Sequence, residues 1–134
     1  MDAMNDMEPA TKTVSVLIVD DQKPFRDVAN TVVRMTAGFE VTGEAESAED
    51  AIDAVDARPP DLVLMDINLP GINGIEACAR ITAAHPDVHV ILLSTYSEQD
   101  LPQDARACGA LRYVHKEEFS PALLQSIWGD VADR

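Results

Sequence analysis

The chain has 134 residues, with 24 Asp and Glu against 10 Lys and Arg, a formal net charge of −14. At 46% hydrophobic residues it reads as one soluble acidic domain, burying roughly two-thirds of its unfolded surface without a disulfide or metal staple. The cations Lys12, Lys23, Arg26 and Arg34 are scattered rather than gathered, which excludes strong DNA binding by this chain alone.

The first 13 residues read as a flexible polar tail, with the domain spanning 14–134. Met1 to Glu8 is acidic and lacks an apolar core, so it is no secretion signal, and a cytoplasmic location is expected. Val14 to Val19 is a β-branched run that ends abruptly at Asp20-Asp21, the pattern of a buried strand. From Lys23 to Ala37, Phe25, Val28/Ala29 and Val32/Val33 recur at helical spacing, and Gly38 supplies a stop. Phe39 to Ala45 is a second strand. Ser47, with Asp50 three residues on, signals the start of a helix carrying Ala48, Ala51/Ile52 and Val55, and Arg58-Pro59-Pro60 ends it.

Leu62 to Met65 is a third apolar strand closing on an acid, Asp66, before the turn Asn68-Leu69-Pro70-Gly71. Asn73 with Glu76 caps a helix running to His85-Pro86. Val88 to Leu93 is the fourth strand and ends at Ser94-Thr95. Pro102 suits only a first turn, so a short fourth helix is placed at about Leu101 to Cys108, ending at Gly109. Leu111 to His115 is the fifth strand, ending at Lys116. Ser120 and Pro121 open a last helix striped by Leu124, Ile127/Trp128 and Val131. The longest stretch without Asp, Glu, Lys or Arg, Phe119 to Gly129, has eleven residues and falls short of the roughly 18 of a membrane span. Cys78 and Cys108 lack metal-ligand or CxxC spacing and read as small buried apolar residues.

Five alternating strands and helices imply a parallel sheet covered on both faces, with function sought at the carboxyl ends of the strands. Those ends carry Asp20, Asp21, Asp66, Ser94, Thr95 and Lys116. Three carboxylates in one crevice must raise a pKa or hold a cation, and a few oxygen ligands with room for water suit Mg²⁺. The charges of three carboxylates, a dication and one lysine cancel.

The acidic pair Asp20-Asp21, the lone Asp66 followed by Asn68-Leu69-Pro70 and Gly71-Ile72-Asn73-Gly74, the hydroxyl of Ser94, and Gly109-Ala110 ahead of Tyr113 and Lys116 resemble the receiver domains of two-component response regulators. The resemblance runs from about Val14 to Trp128. It implies a flavodoxin-like (βα)5 sandwich with five parallel strands in the order 2-1-3-4-5. It also implies that Asp66 accepts a phosphoryl group from a histidine of a sensor kinase or phosphotransfer protein. Asp21, Asp66 and the Asn68 carbonyl would ligate Mg²⁺, with Asp20 acting mostly through water. Lys116 and Ser94 would contact the phosphoryl oxygens, and Tyr113 would turn inward with Ser94 as the switch. The output surface, and a possible homodimer contact, is then the face of the fourth helix, fifth strand and fifth helix.

Three positions depart from the commonest pattern of the family. Glu117 follows Lys116 where many members have proline, Arg112 stands where glycine is frequent, and Pro102 should shorten the fourth helix. Tyr96, two residues beyond Ser94, is expected to screen the site from attacking water. Singly, each site residue has a plainer explanation: Asp20-Asp21 as a helix cap, Asp66 as a turn, Ser94 as a loop ligand, Tyr113 and Trp128 as packing. Capping, however, does not call for acids on neighbouring strands and a lysine on a third. His85, His89 and His115 are assigned no chemistry.

Two other classes use similar parts. A Mg²⁺-dependent phosphatase of the haloacid dehalogenase type wants Asp-x-Asp, where this chain has Asp66-Ile67-Asn68. A flavodoxin-type cofactor binder would be repelled by Asp20-Asp21. Ser94, Leu69 to Gly74 and the non-proline Glu117 resemble receivers that precede a LuxR/NarL-type helix-turn-helix domain. That output domain is not present in these 134 residues, and the alternative is a stand-alone receiver acting by protein contact.

Overall fold

The computed structural model describes residues 13–95, 105 and 107–132. Their elements are β1 (Val14–Val19), α1 (Lys23–Arg34), β2 (Phe39–Ala45), α2 (Ala48–Ala57), β3 (Leu62–Asp66), α3 (Gly74–Ala84), β4 (His89–Ser94), β5 (Arg112–His115), a 3₁₀ turn at Lys116–Glu118, and α4 (Pro121–Ala132). All strand pairings are parallel and the order is β2-β1-β3-β4-β5, as the resemblance implies. The tail, Tyr96, Pro102 and most of the expected helix at 101–108 lie outside the described residues.

Successive strand side chains point to opposite faces, and here each face has its own core. Leu17, Val19, Val63, Met65, Val90 and Leu92 pack against Ala48, Ala51 and Val55 of α2 and Ile75, Cys78 and Ile81 of α3. Val16, Ile18, Leu62, Leu64, Ile91 and Leu93 pack against Ala29 and Val33 of α1 and Leu124 and Ile127 of α4. This double burial is why the strands read as unbroken apolar runs. Each fully buried Leu, Ile or Val contributes about 1.5–3 kcal/mol.

The expected caps form. Ser47 accepts from the Asp50 N–H at 3.1 Å, Asn73 from the Glu76 N–H at 2.9 Å, and Ser120 from the Leu123 N–H at 3.1 Å. Boundaries move by a residue at β3, which includes Asp66, and at β4 and β5, which start one residue later than expected: the Val88 N–H closes a turn onto His85, and Leu111 makes a single bond to the Val90 carbonyl ahead of the regular pairing. The described residues contain no cis peptide bond.

Two expectations about the first helix are corrected. It ends at Arg34 and not at Ala37: the Thr36 N–H bonds the Val33 carbonyl, the Thr36 hydroxyl donates to the Val32 carbonyl at 2.7 Å, and Gly38 turns the chain with φ +88°. Its buried face also differs. Val28 is 52% exposed, whereas Arg26, in line with Ala29 and Val33, is only 9% exposed. Spacing alone could not separate Val28 from Ala29, and the surface that α1 covers has carboxylates at its upper edge, where an arginine fits.

Cys78 and Cys108 are buried and not joined in a disulfide, as read from the sequence. Hydrogen bonding with Cys108 and burial push the Cys78 thiol far above its ordinary value and keep it protonated. Trp128 packs edge-on against Phe39 and His89, at the opposite ends of the strands from the acidic residues. No described helix is long and apolar enough to cross a membrane.

Candidate functional site

Asp20 and Asp21 leave β1 where its last apolar residue, Val19, pairs with Ala45 and Met65 on either side. Asp20 is 1% exposed. One of its carboxylate oxygens accepts the Gln22 N–H at 2.8 Å, and the other accepts from Lys116 Nζ at 2.8 Å. The capping reading of this pair does not hold: Gln22 is the N-cap residue, its side chain makes no cap bond, and Asp20 binds the N–H of Gln22 itself rather than one inside α1. Asp21 is half-buried and accepts from the Gln22 side chain.

Asp66 ends β3 beside Leu93 of β4 and is 4% exposed. Its Oδ1 accepts the Asn68 N–H at 3.3 Å and lies 3.4 Å from Lys116 Nζ. Carboxylate oxygens of Asp20, Asp21 and Asp66 all lie within 4.8 Å of one another. Burial, then the neighbouring Asp20, raises the Asp66 pKa from the ordinary 3.8 to about 6; Lys116 and the Asn68 hydrogen bond oppose the rise. Lys116 enters from the end of β5, and its ammonium sits 4.6 Å from the centre of the Phe25 ring. That ring, on the first turn of α1, supports the charge from the apolar side.

Ser94 is buried at the end of β4, one residue past the partner of Asp66 and opposite His115. Tyr113, one strand further out, is half-buried against the α2/α3 core. Asp20, Asp21, Asp66 and Lys116 therefore converge, Asn68 binds Asp66 through its main chain, and Ser94 closes the neighbouring strand. Tyr113 is set back from them in β5.

Sequence reasoning missed two residues around this cluster. The buried Arg26 donates through Nη1 to the Asp20 carbonyl at 2.8 Å. His115 accepts the Glu117 N–H on Nδ1, which leaves the proton on Nε2, 3.1 Å from the Thr95 carbonyl. It thereby ties the end of β5 to the residue after Ser94. Arg26 had a detectable signal, its place on the Ala29/Val33 stripe; His115 had none beyond closing a strand.

The loop between β3 and α3 is built around Gly74. A Cβ there would lie 2.0 Å from the Asp66 carbonyl oxygen and 3.0 Å from the Ile67 Cα, so the start of α3 and the end of β3 meet backbone to backbone. Gly74→Ala is expected to destabilise by about 1–3 kcal/mol through overpacking, measured by denaturant unfolding. It should also displace Asp66, seen as a change in the pH at which that carboxyl titrates by NMR.

The sequence matches the response regulator receiver domain over residues 16–128. It is 33% identical over 114 residues to the transcriptional regulatory protein DegU of Brevibacillus brevis, covering 85% of this chain and 48% of that protein. It is 37% identical over 103 residues to the response regulator UvrY of Escherichia coli strain CFT073, covering 77% of this chain and 47% of that one. The fold superposes with a TM-score of 0.80 and 30% identity on a LuxR-family two-component response regulator from Aurantimonas sp. SI85-9A1, covering 92% of this chain and 88% of that structure. The chain spans about half the length of the two relatives matched by sequence. With the acidic strand ends, the lysine beyond β5 and the 2-1-3-4-5 sheet, these matches make the chain a member of the response regulator receiver domain family, similar to regulators of the LuxR/NarL type.

Proposed function

We propose that this chain is a phosphorylation switch in which Asp66 takes a phosphoryl group from a phosphohistidine of a sensor kinase or phosphotransfer protein. The observation that carries the reading is the half-buried Lys116 ammonium reaching both Asp20 and Asp66 within a cluster of three carboxylates. In the transfer, an Asp66 carboxylate oxygen forms a bond to phosphorus as the phosphorus–nitrogen bond to histidine breaks. The chain then keeps the phosphoryl group as an aspartyl-phosphate.

The donor set is all oxygen, with no His or Cys, and its oxygens are close enough to share one ion, so it fits a hard dication such as Mg²⁺. Asp21, Asp66 and the Asn68 carbonyl would hold it, with Asp20 through water, and when bound it supplies neutralisation of phosphoryl charge. Lys116 adds a second positive charge beside Asp66, and phosphoryl transfer gains most from such preorganised electrostatics. Once phosphorylated, Asp66 carries about −1.5 to −2 in place of −1, together with new acceptor oxygens. The Ser94 hydroxyl gains a partner there, and Tyr113 follows it inward, changing the face around β5. The similarity to LuxR-type regulators supports transcription control through a helix-turn-helix domain as the output, with homodimerisation through the same face.

The test is incubation with Mg²⁺ and acetyl phosphate followed by intact mass measurement. One phosphoryl adduct is expected on the parent and none on Asp66→Asn. An adduct that survives the substitution would overturn the assignment.

A further inference from the structure

Arg26 is the one described cation held behind the acidic pair, and its surroundings show what it is for. Its guanidinium forks three ways: Nη1 donates to the Asp20 carbonyl at 2.8 Å, Nε pairs with Glu44 Oε1 at 3.1 Å, and Nη2 lies 3.8 Å from Glu46 Oε2. The other oxygen of Glu44 is held in turn by the Asn30 side chain at 2.9 Å. Glu44 reaches this position because the β1–β2 register skips a residue between Val16 and Leu17, which brings Glu44 rather than Gly43 opposite Ile18. Burying a guanidinium is costly, and the position lies on the apolar Ala29/Val33 stripe, where methionine or leucine would serve packing alone. What only the guanidinium supplies is a fork with one arm on the main chain of Asp20 and another on an acid anchored to β2.

We infer that Arg26 is a positioning residue for the cation site: it fixes the Asp20-Asp21 main chain so that both carboxylates point at Asp66. The inference rests on the reading of that cluster as a Mg²⁺ site. Two physical roles for Arg26 predict opposite signs. As a source of positive charge it would oppose a nearby dication, and its removal would tighten Mg²⁺ binding. As a geometric clamp whose charge Glu44 and Glu46 already balance, its removal loosens the ligands and weakens binding.

The experiment is calorimetric titration of the protein with Mg²⁺, alongside its thermal midpoint without the metal. Arg26→Met fills the buried stripe without a fork, and Arg26→Lys keeps the charge without one. Both are expected to weaken Mg²⁺ binding about 10-fold, with Arg26→Lys following Arg26→Met despite its retained charge. The double variant Arg26→Met/Glu44→Gln, which also removes the acid that Arg26 pairs with most closely, should be weakened equally. Unchanged or tighter binding in the folded variants would overturn the inference, as would failure of all three to fold, since Arg26 would then serve the fold rather than the site. If the parent itself takes up no Mg²⁺, it is the reading of the site that fails, and the two failures are told apart by the parent titration alone.

Discussion

Asp66→Asn is expected to make the metal-free protein more stable than the parent at pH 8, by about 2–3 kcal/mol or about 10 °C in the thermal midpoint. The unfolded carboxyl titrates near 3.8 and the folded one near 6, so between those values the folded chain keeps a proton that the unfolded chain has lost. Stability contributed by this group is therefore full below pH 3.8, falls as the pH rises through the window, and is absent above about pH 7. The interval corresponds to about 3 kcal/mol, and at 4% exposure Asp66 has little solvent to screen it. Asparagine resembles the protonated acid and is immune to the loss, so the gap between the two proteins should be small near pH 4 and complete above pH 7. Denaturant titrations at pH 4.5 and 8 measure it. Millimolar Mg²⁺ should stabilise the parent at pH 8 and narrow the gap. A gap independent of pH would mean that Asp66 is not held against its own charge.

Lys116→Met is expected to slow phosphorylation by a small phosphodonor about 100-fold, the loss typical of removing one charged stabiliser from a developing anion. Methionine can retain the contact with Phe25 while deleting the ammonium that lies 2.8 Å from Asp20 and 3.4 Å from Asp66. Two buried carboxylates then face each other without their shared cation, and the Asp66 pKa should climb further above 6, because Lys116 is the main influence holding it down. Adding Asp20→Asn to Lys116→Met should recover part of the lost stability by removing that repulsion, but not the lost rate. A double-mutant cycle in both quantities separates the two roles of the lysine. If Lys116→Met is phosphorylated at the parent rate, the ammonium acts on stability alone.

The parts of the site legible in the sequence were those that end an apolar run. Asp20, Asp66, Ser94 and Lys116 stand out because a parallel sheet with two buried faces leaves no alternation to hide them. The caps at Ser47, Asn73 and Ser120 were legible for the same local reason: donor and acceptor lie three residues apart in the chain. Arg26 showed only as a place on the Ala29/Val33 stripe, because its partner Glu44 is brought into reach by a register skip in a pairing between separate strands. Val28 was misread because helical spacing marks a stripe but not which of two adjacent apolar residues centres it. His115 looked like an ordinary strand residue, and its bond to Thr95 exists only once β5 lies beside β4.

The bond between Lys116 and Asp20 joins residues 96 positions apart, and β5 touches the sheet only through β4. The carboxylates of β1 and β3 can therefore meet without β5, whereas the lysine reaches them only once β5 has paired with β4. A sheet that has assembled from β2 to β4 alone holds an acidic cluster under its own repulsion. Docking of β5 relieves that repulsion, so the final strand is drawn in by charge as well as by Val114, its buried apolar residue. An unfinished sheet thus presents the acidic cluster without its ammonium, and on the proposed reading of Asp66 as phosphoacceptor it would not yet be competent for transfer.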